Sequence, residues 1–322
     1  MFAFLPKLSC QFFPYIGNYL ARCREARYAE REARRRQARY VRPTLEGMED
    51  RIVPDAYVWT GAIDNSWTNG QNWTDTTTIP NVIGTVPGSM DTANIPSGSP
   101  VCVLSSTTGQ TVAGLTVAGT LGVGTGSISS KLSVTTLSAP GTLNLGTNGE
   151  LDVLSSGDFS GGGTLSGRLD VPSVVTFEPG SGFTLAAGVS IIGGGLVNIN
   201  GPVTCTAALS PDATLDLNND GITTFGALTG AGSLDVGHQF NFNGGVLGLA
   251  GGTTLEPASG FKMQGADKKE LSAGTLASLA QLAQLGGTGT LQIDNGATYN
   301  NEAGKTELSL PFVDVLGGTN PG

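Results

Sequence analysis

A three-residue tag of the form Gly-Thr-Leu, with close variants, recurs along most of this chain. Its leucine falls at Leu121, Leu143, Leu165, Leu185, Leu215, Leu234, Leu255 and Leu291. Five of the seven steps between these positions lie between 19 and 22 residues; the other two are 30 and 36. A fixed period of this length marks a repeat architecture in which each unit buries its apolar face only against its neighbours. Between the tags run short alternating stretches of Val, Leu, Ile and Thr, separated by Gly, Ser, Asn and Asp, the texture of short strands and turns. Pairs such as Leu143 with Leu145, Leu215 with Leu217 and Leu291 with Ile293 keep apolar side chains two apart, on one face of a strand.

About 21 residues hold three strands of four or five residues with their corners, which is one coil of a parallel β-helix. The expected fold is therefore all-β: a right-handed parallel β-helix of about nine coils over residues 99–322, preceded by a disordered or helical arm. Equivalent residues of successive coils should stack, so Leu121, Leu143 and Leu165 are expected to form one internal ladder. The 30-residue step suggests that Leu185 is out of phase. The 36-residue step contains "SAGTLASLAQLAQLGG", whose Leu276, Leu279, Leu282 and Leu285 recur every third residue among Ala and Gln. Those are helix formers, and a short helical insertion near 274–286 is expected; the alternative is one more coil of unusual composition. Cys102 and Cys205 lie about five coils apart, or ~24 Å at ~4.8 Å per coil. A disulfide needs Cα atoms within about 7 Å, so both should be free, packed thiols.

Composition divides the chain. Of its 49 glycines, 47 follow residue 51. Residues 1–51 hold 11 Lys and Arg against 6 Asp and Glu, whereas the rest holds 6 against 20, a net charge of −14. An acidic body argues against nucleic acid as a partner. No stretch of about 18 apolar residues appears, so no transmembrane helix is expected. Residues 20–40, "LARCREARYAEREARRRQARY", are strong helix formers without an apolar stripe. The apolar residues precede the arginines, the reverse of a secretory signal.

Three segments resemble known families. "RPTLEGMEDRIVPD", with Leu45, Glu46, Glu49, Asp50, Arg51 and Pro54, resembles the L-E-x-L-E-D-R-x-x-P motif of exported planctomycete-type surface proteins; Met48 replaces the second Leu, a volume-conserving change. That resemblance implies that residues 1–54 are a basic targeting region. "YVWTGAIDNSWTNGQNW" carries Trp59, Trp67 and Trp73, the only tryptophans of the chain, and resembles the entry segment of autotransporter-like secreted β-helix proteins. So does "VPGSMDTANIPSGSPVCV". Residues 55–98 are therefore expected to be a Trp-rich cap of the solenoid, with the rings as a small core; the other reading makes Trp59, Trp67 and Trp73 a carbohydrate-stacking platform. "GALTGAGSLDV" and "GATYNNEAGKTEL" are similar to autotransporter passenger repeats, although no series of ten-residue barrel strands follows them.

Little in the sequence carries chemistry. His238 is the only histidine, so multi-His metal sites are excluded by count and a Ser-His-Asp site would have to use it. "DLNNDGIT" places Asp216, Asn218 and Asp220 at positions 1, 3 and 5 of a calcium loop, with Gly221 at 6. Position 12 is Ala227, where a bidentate acid is required, so calcium is a weak candidate cofactor and an Asn/Asp turn the stronger reading. Polysaccharide-cleaving β-helices need clustered acids, or an acid beside a Lys or Arg, in a groove. The body offers only Lys131, Arg168, Lys262, Lys268, Lys269 and Lys305 as bases, and the acids Asp152, Asp158, Asp170, Asp216 and Asp235 are scattered; stacked coils could gather some of them, but no motif marks a site. The expected function is an exported, non-enzymatic structural or adhesin-like surface protein, secreted or cell-surface in location. Its partners would be cell-surface polysaccharide or other surface proteins. The alternative is a carbohydrate-binding or polysaccharide-degrading β-helix.

Overall fold

A computed structural model describes residues 27–32, 54–77, 82–178, 182–218, 226–257, 259–279, 283–285, 289–301, 306–308 and 313–315. The chain forms two units, Met1–Val53 and Pro54–Gly322. In the first, residues 27–32 are helical and exposed, in line with the Ala, Arg and Glu content of that stretch. The second is built almost wholly of strands.

Each coil of the second unit visits three faces. The first sheet is continuous from the entry segment to Thr306–Leu308, and the second lines up eleven strands from Cys102–Leu104 to Val313–Val315. All eleven strands of the second sheet follow residue 99, within the stretch read as about nine coils. The third face has two runs. In the early coils it is the leading half of the long strands Gln110–Val117, Ser130–Ser138 and Gly149–Phe159, continued by Arg168–Asp170 and Ser190–Ile192. Later it is a separate sheet from Ala208–Leu209 to Thr298–Asn301. Apart from the pairings of Trp73–Asp75 and Val82–Ile83 at the start, these strands pair in parallel.

The inward columns hold the coils together. In the second sheet Leu104, Val123, Leu145, Leu165, Leu185 and Cys205 lie one above the other, all at most 2 % exposed. In the first sheet Phe159 stacks on Phe177, with ring centroids 5.0 Å apart, and Phe183 of the second sheet meets both edge-on. Phe240 stacks on Phe261 in the same way further on. Such ring contacts add to the burial term. Cys102 and Cys205 are free and buried, five strands apart along the second sheet, as expected. Burial pushes the Cys205 thiol pKa up, and that of Cys102 higher still.

The expected leucine ladder is corrected in detail. Leu121 pairs with Leu143, but Leu165 sits on Leu145, two residues along, and Leu185 sits on Leu165 and is in phase. Leu215 belongs to the first sheet, and Leu234 and Leu255 to the third. The tag marks entry into a strand on any face rather than one fixed corner. Steps between register partners in the second sheet vary from 19 to 25 residues.

The helical insertion near 274–286 is also corrected. Thr275–Ser278 and Ala283–Leu285 are strands, pairing with Thr253–Leu255 and Gly260–Met263. Gly274 turns the corner at φ +69°, where a Cβ would lie 2.0 Å from the Leu249 carbonyl oxygen. The exposed edge of the preceding coil offers a full row of backbone partners, and that template outweighs the helix propensity of Ala, Leu and Gln. The segment is another coil, and its own "GTL" puts Leu276 21 residues after Leu255.

The Trp-rich segment is a closed core. Trp59, Trp67 and Trp73 are 1 %, 0 % and 0 % exposed. Trp73 meets Trp59 and Trp67 edge-on, at 5.1 and 4.8 Å between ring centroids. Trp59 donates Nε1–H to the Pro100 carbonyl at 2.9 Å, and Trp73 to that of Trp67 at 2.8 Å. With no ring face open, the carbohydrate-stacking role weighed for these residues is set aside. The entry segment also begins the stack, because Ala56–Trp59 pairs in parallel with Thr92–Ile95.

The core also holds a lysine. Lys269, fully buried, reaches the carbonyl oxygens of Asp267 at 2.9 Å and Gly265 at 3.5 Å. Burial lowers its pKa, partly offset by Asp267. A buried ammonium costs free energy even when hydrogen-bonded. Two substitutions should therefore act in opposite directions. Leu145→Ala, in the middle of a column, lowers stability by about 2–5 kcal/mol. Lys269→Met raises the unfolding midpoint at neutral pH. Because the folded-state pKa of Lys269 lies below its unfolded value, the wild type gains stability as pH rises toward the ordinary lysine range. The advantage of Lys269→Met should shrink over that window, which thermal melts of both proteins at several pH values will read.

Candidate functional site

The early third face carries alternating charge across coils. Leu132, Leu151, Leu169 and Ile191 point inward, so their strand neighbours point out. One outward column reads Lys131, Glu150, Arg168 and Ser190; the other reads Ser133, Asp152, Asp170 and Ile192. Stacking thus gathers residues from 131 to 192 onto one patch.

Lys131 Nζ lies 2.8 Å from Glu150 Oε1 and 2.7 Å from Asp152 Oδ2. Arg168 lies 3.3 Å from Asp170 Oδ2 and 3.7 Å from Glu150 Oε1. Ser133 Oγ donates to Asp152 Oδ2 at 2.9 Å. These bonds to Asp152 and Glu150 raise the Lys131 pKa against the opposing effect of partial burial. Asp152 is 8 % exposed, and its Oδ1 is buried without a hydrogen-bond partner. One oxygen from each of Glu150, Asp152 and Asp170 lies within 4.8 Å of the others. A cation would fit that spacing, but the Lys131 ammonium already serves two of the three.

A shallow groove of about 390 Å³ runs beside the column. Lys131, Glu150, Arg168 and Ser190 line it, together with Thr107, Ser129, Ser130, Thr147 and Asn148. Gly149, Gly167 and Gly188 complete the lining without side chains. At Gly167 a Cβ would lie 2.2 Å from the Gly146 carbonyl oxygen, so the close approach of successive corners requires glycine there.

His238 lies at a corner, half exposed, with Nε2 on the Asp212 carboxylate. It shares a groove of about 270 Å³ with Ser210, Asp235 and Glu256. Its nitrogen meets a carboxylate rather than a hydroxyl. Of the calcium-loop candidates, Asp216 accepts from Asn241 Nδ2. Asn218 accepts from Asn243 Nδ2 at 2.9 Å and donates toward Asn200 Oδ1 at 3.3 Å. Both are engaged in side-chain ladders between coils. Burial raises the Asp216 pKa, with the bond from Asn241 opposing. Asp220 and Gly221 lie outside the described residues.

Of the dispersed acids and bases in the sequence, the structure joins Asp152, Asp170, Lys131 and Arg168, while Asp158, Asp216 and Asp235 stay apart from them. Glu150 is the member that sequence reasoning passed over. The signal was present as an i, i+2 pair of polar residues flanking a buried Leu in each of three successive coils. Comparison with protein-family models, with curated proteins and with solved structures finds no match.

The network makes a stability prediction. Lys131→Met leaves Asp152 buried beside Glu150 without its counter-ion and should cost about 1–2 kcal/mol, below a fully buried pair because Lys131 is half exposed. Adding Asp152→Asn should recover part of the loss. A double-mutant cycle by chemical denaturation checks this, and additive losses contradict the coupling.

Proposed function

We propose that the chain is an exported, non-enzymatic solenoid that acts as a structural or adhesin-like scaffold at the cell surface. The observation that carries this reading is how the outward polar groups are used. Several pair with one another across coils: Asn218 with Asn243, Asp216 with Asn241, and Lys131 with Glu150 and Asp152; others pair within a coil, as Lys268 does with Glu270. Side chains committed to ladders stiffen a scaffold and are poorly placed to move protons in a reaction. Export rests on the resemblance at residues 45–54 and on the contrast between a basic arm and an acidic, glycine-rich body. A fold of this kind hosts both enzymes and scaffolds, so the argument lies in the groups and not in the architecture.

Two measurements test the reading. The full chain incubated with a panel of plant, algal and bacterial polysaccharides should release no reducing sugar above background; release would overturn the non-enzymatic reading. Residues 1–54 fused to a reporter, in a bacterium with planctomycete-type export, should deliver it outside the cytoplasm. Retention of the reporter inside would overturn the export reading.

A further inference from the structure

We propose that Asn295 is a site of spontaneous covalent modification: its side-chain amide closes on the backbone nitrogen of Gly296, loses ammonia and hydrolyses to aspartate and isoaspartate, ahead of every other Asn-Gly pair of the chain. This goes beyond the scaffold reading and holds whether or not the chain is exported.

The chain has five Asn-Gly pairs, beginning at Asn69, Asn148, Asn200, Asn243 and Asn295. A glycine after asparagine leaves the attacking nitrogen unhindered by a side chain, so on sequence alone the five are equal. The reaction has two requirements. The glycine nitrogen must be free to give its proton to hydroxide, and the Asn side chain must be free to swing its Cγ onto that nitrogen. A hydrogen bond at either group has to open first.

The stacked coils hold four of the pairs. Gly149 donates its N–H to the Gly146 carbonyl at 2.8 Å, and Asn148 Nδ2 donates to that of Gly126 at 2.8 Å. Gly201 donates its N–H to the Phe177 carbonyl at 2.9 Å, and Gly244 to that of Leu217 at 3.2 Å. Asn243 Nδ2 also donates to Asn218 Oδ1 at 2.9 Å. Asn69 is held through its side chain, which accepts from the Gln71 N–H at 3.1 Å and donates to Asp64 Oδ2 at 2.8 Å.

The fifth pair stands clear of such bonds. Asn295 and Gly296 are both exposed, between the strands Leu291–Ile293 and Thr298–Asn301. Ala297 donates its N–H to the Asp294 carbonyl at 2.9 Å, closing a tight turn with the pair at its centre. Both central residues have positive φ, +52° and +76°, the type I′ arrangement that Asn-Gly favours. Asn295 is the only non-glycine residue at positive φ among the described residues. Among those residues, neither the Gly296 N–H nor the Asn295 side-chain amide meets a hydrogen-bond partner. Beyond the chain neighbours, no heavy atom lies within 4 Å of where a Gly296 Cβ would stand, so ring closure has room.

The step needs no co-reactant but water. The Gly296 nitrogen loses its proton and bonds Asn295 Cγ; the Cγ–Nδ2 bond breaks and Nδ2 leaves as ammonia. Water then opens the cyclic imide at either carbonyl, giving aspartate or isoaspartate. Either product adds a negative charge beside Asp294. Isoaspartate also routes the main chain through Cβ, which lengthens the turn.

The test is incubation of the full chain at mildly alkaline pH, folded and in denaturant. Each Asn-Gly peptide is followed by mass spectrometry, and isoaspartate is read by enzymatic methylation from S-adenosylmethionine. In denaturant the five pairs should convert at similar rates. In the folded chain Asn295 should convert about tenfold or more ahead of the other four, faster as pH rises, to both products. Asn295→Gly keeps a residue suited to positive φ and should remove most of the early isoaspartate. Circular dichroism through the incubation confirms that the chain stays folded. Equal or faster conversion at another Asn-Gly pair of the folded chain overturns the proposal. So does a lead for Asn295 that persists in denaturant, or isoaspartate that accumulates as fast in Asn295→Gly.

Discussion

Each inward side chain of the solenoid rests on the side chain one coil before it, and the other features depend on that contact. Strands in register at ~4.8 Å satisfy their backbone groups with the neighbouring coil, so the core has only to fill the space between three sheets. A column can then change residue along its length without breaking: Leu104, Val123, Leu145, Leu165, Leu185 and Cys205 share one. It accommodates aromatic stacks in the Phe159 and Phe240 regions. It even admits Lys269, because a corner carbonyl pair lies within reach. At the start of the stack the same requirement needs a lid, and three tryptophans packed edge to face provide one.

The contact that builds the core also builds the surface. Residues two apart on a strand and one coil apart along the axis become neighbours, so Lys131, Glu150 and Arg168 meet although 37 residues separate the first from the last. Ladders of Asn and Asp on the first sheet arise in the same way. Outward chemistry is therefore set by coil length. A coil one residue longer between two strands would turn a charged column into a mismatched one.

That dependence explains what sequence reading recovers. Glycine-rich corners recur regularly enough to reveal the period, and the alternating Leu and Val to reveal the strands. Free Cys102 and Cys205 follow from the period alone. The register does not, because coil lengths vary and a Gly-Thr-Leu entry suits all three faces. Leu165 accordingly lands on Leu145, and Leu215 lands in a different sheet from Leu121. Residues 274–286 have the local spacing of a helix, and only the waiting strand edge overrides it. The ion-pair column fell below notice for the same reason, since Asp152 and Asp170 look scattered until the coils are superposed.

The central claim is the parallel register along the first sheet, and a pair of spin labels tests it most directly. Ser138 and Asn241 are outward and linked through Asp158, Thr176, Asn198 and Asp216. With Cys10 and Cys23 replaced by Ser, and Cys introduced at Ser138 and Asn241, pulsed dipolar spectroscopy should give a single narrow distance near ~24 Å, five strand spacings. A broad distribution, or a distance below about 15 Å or above about 35 Å, is incompatible with five stacked coils at that spacing and would contradict the account.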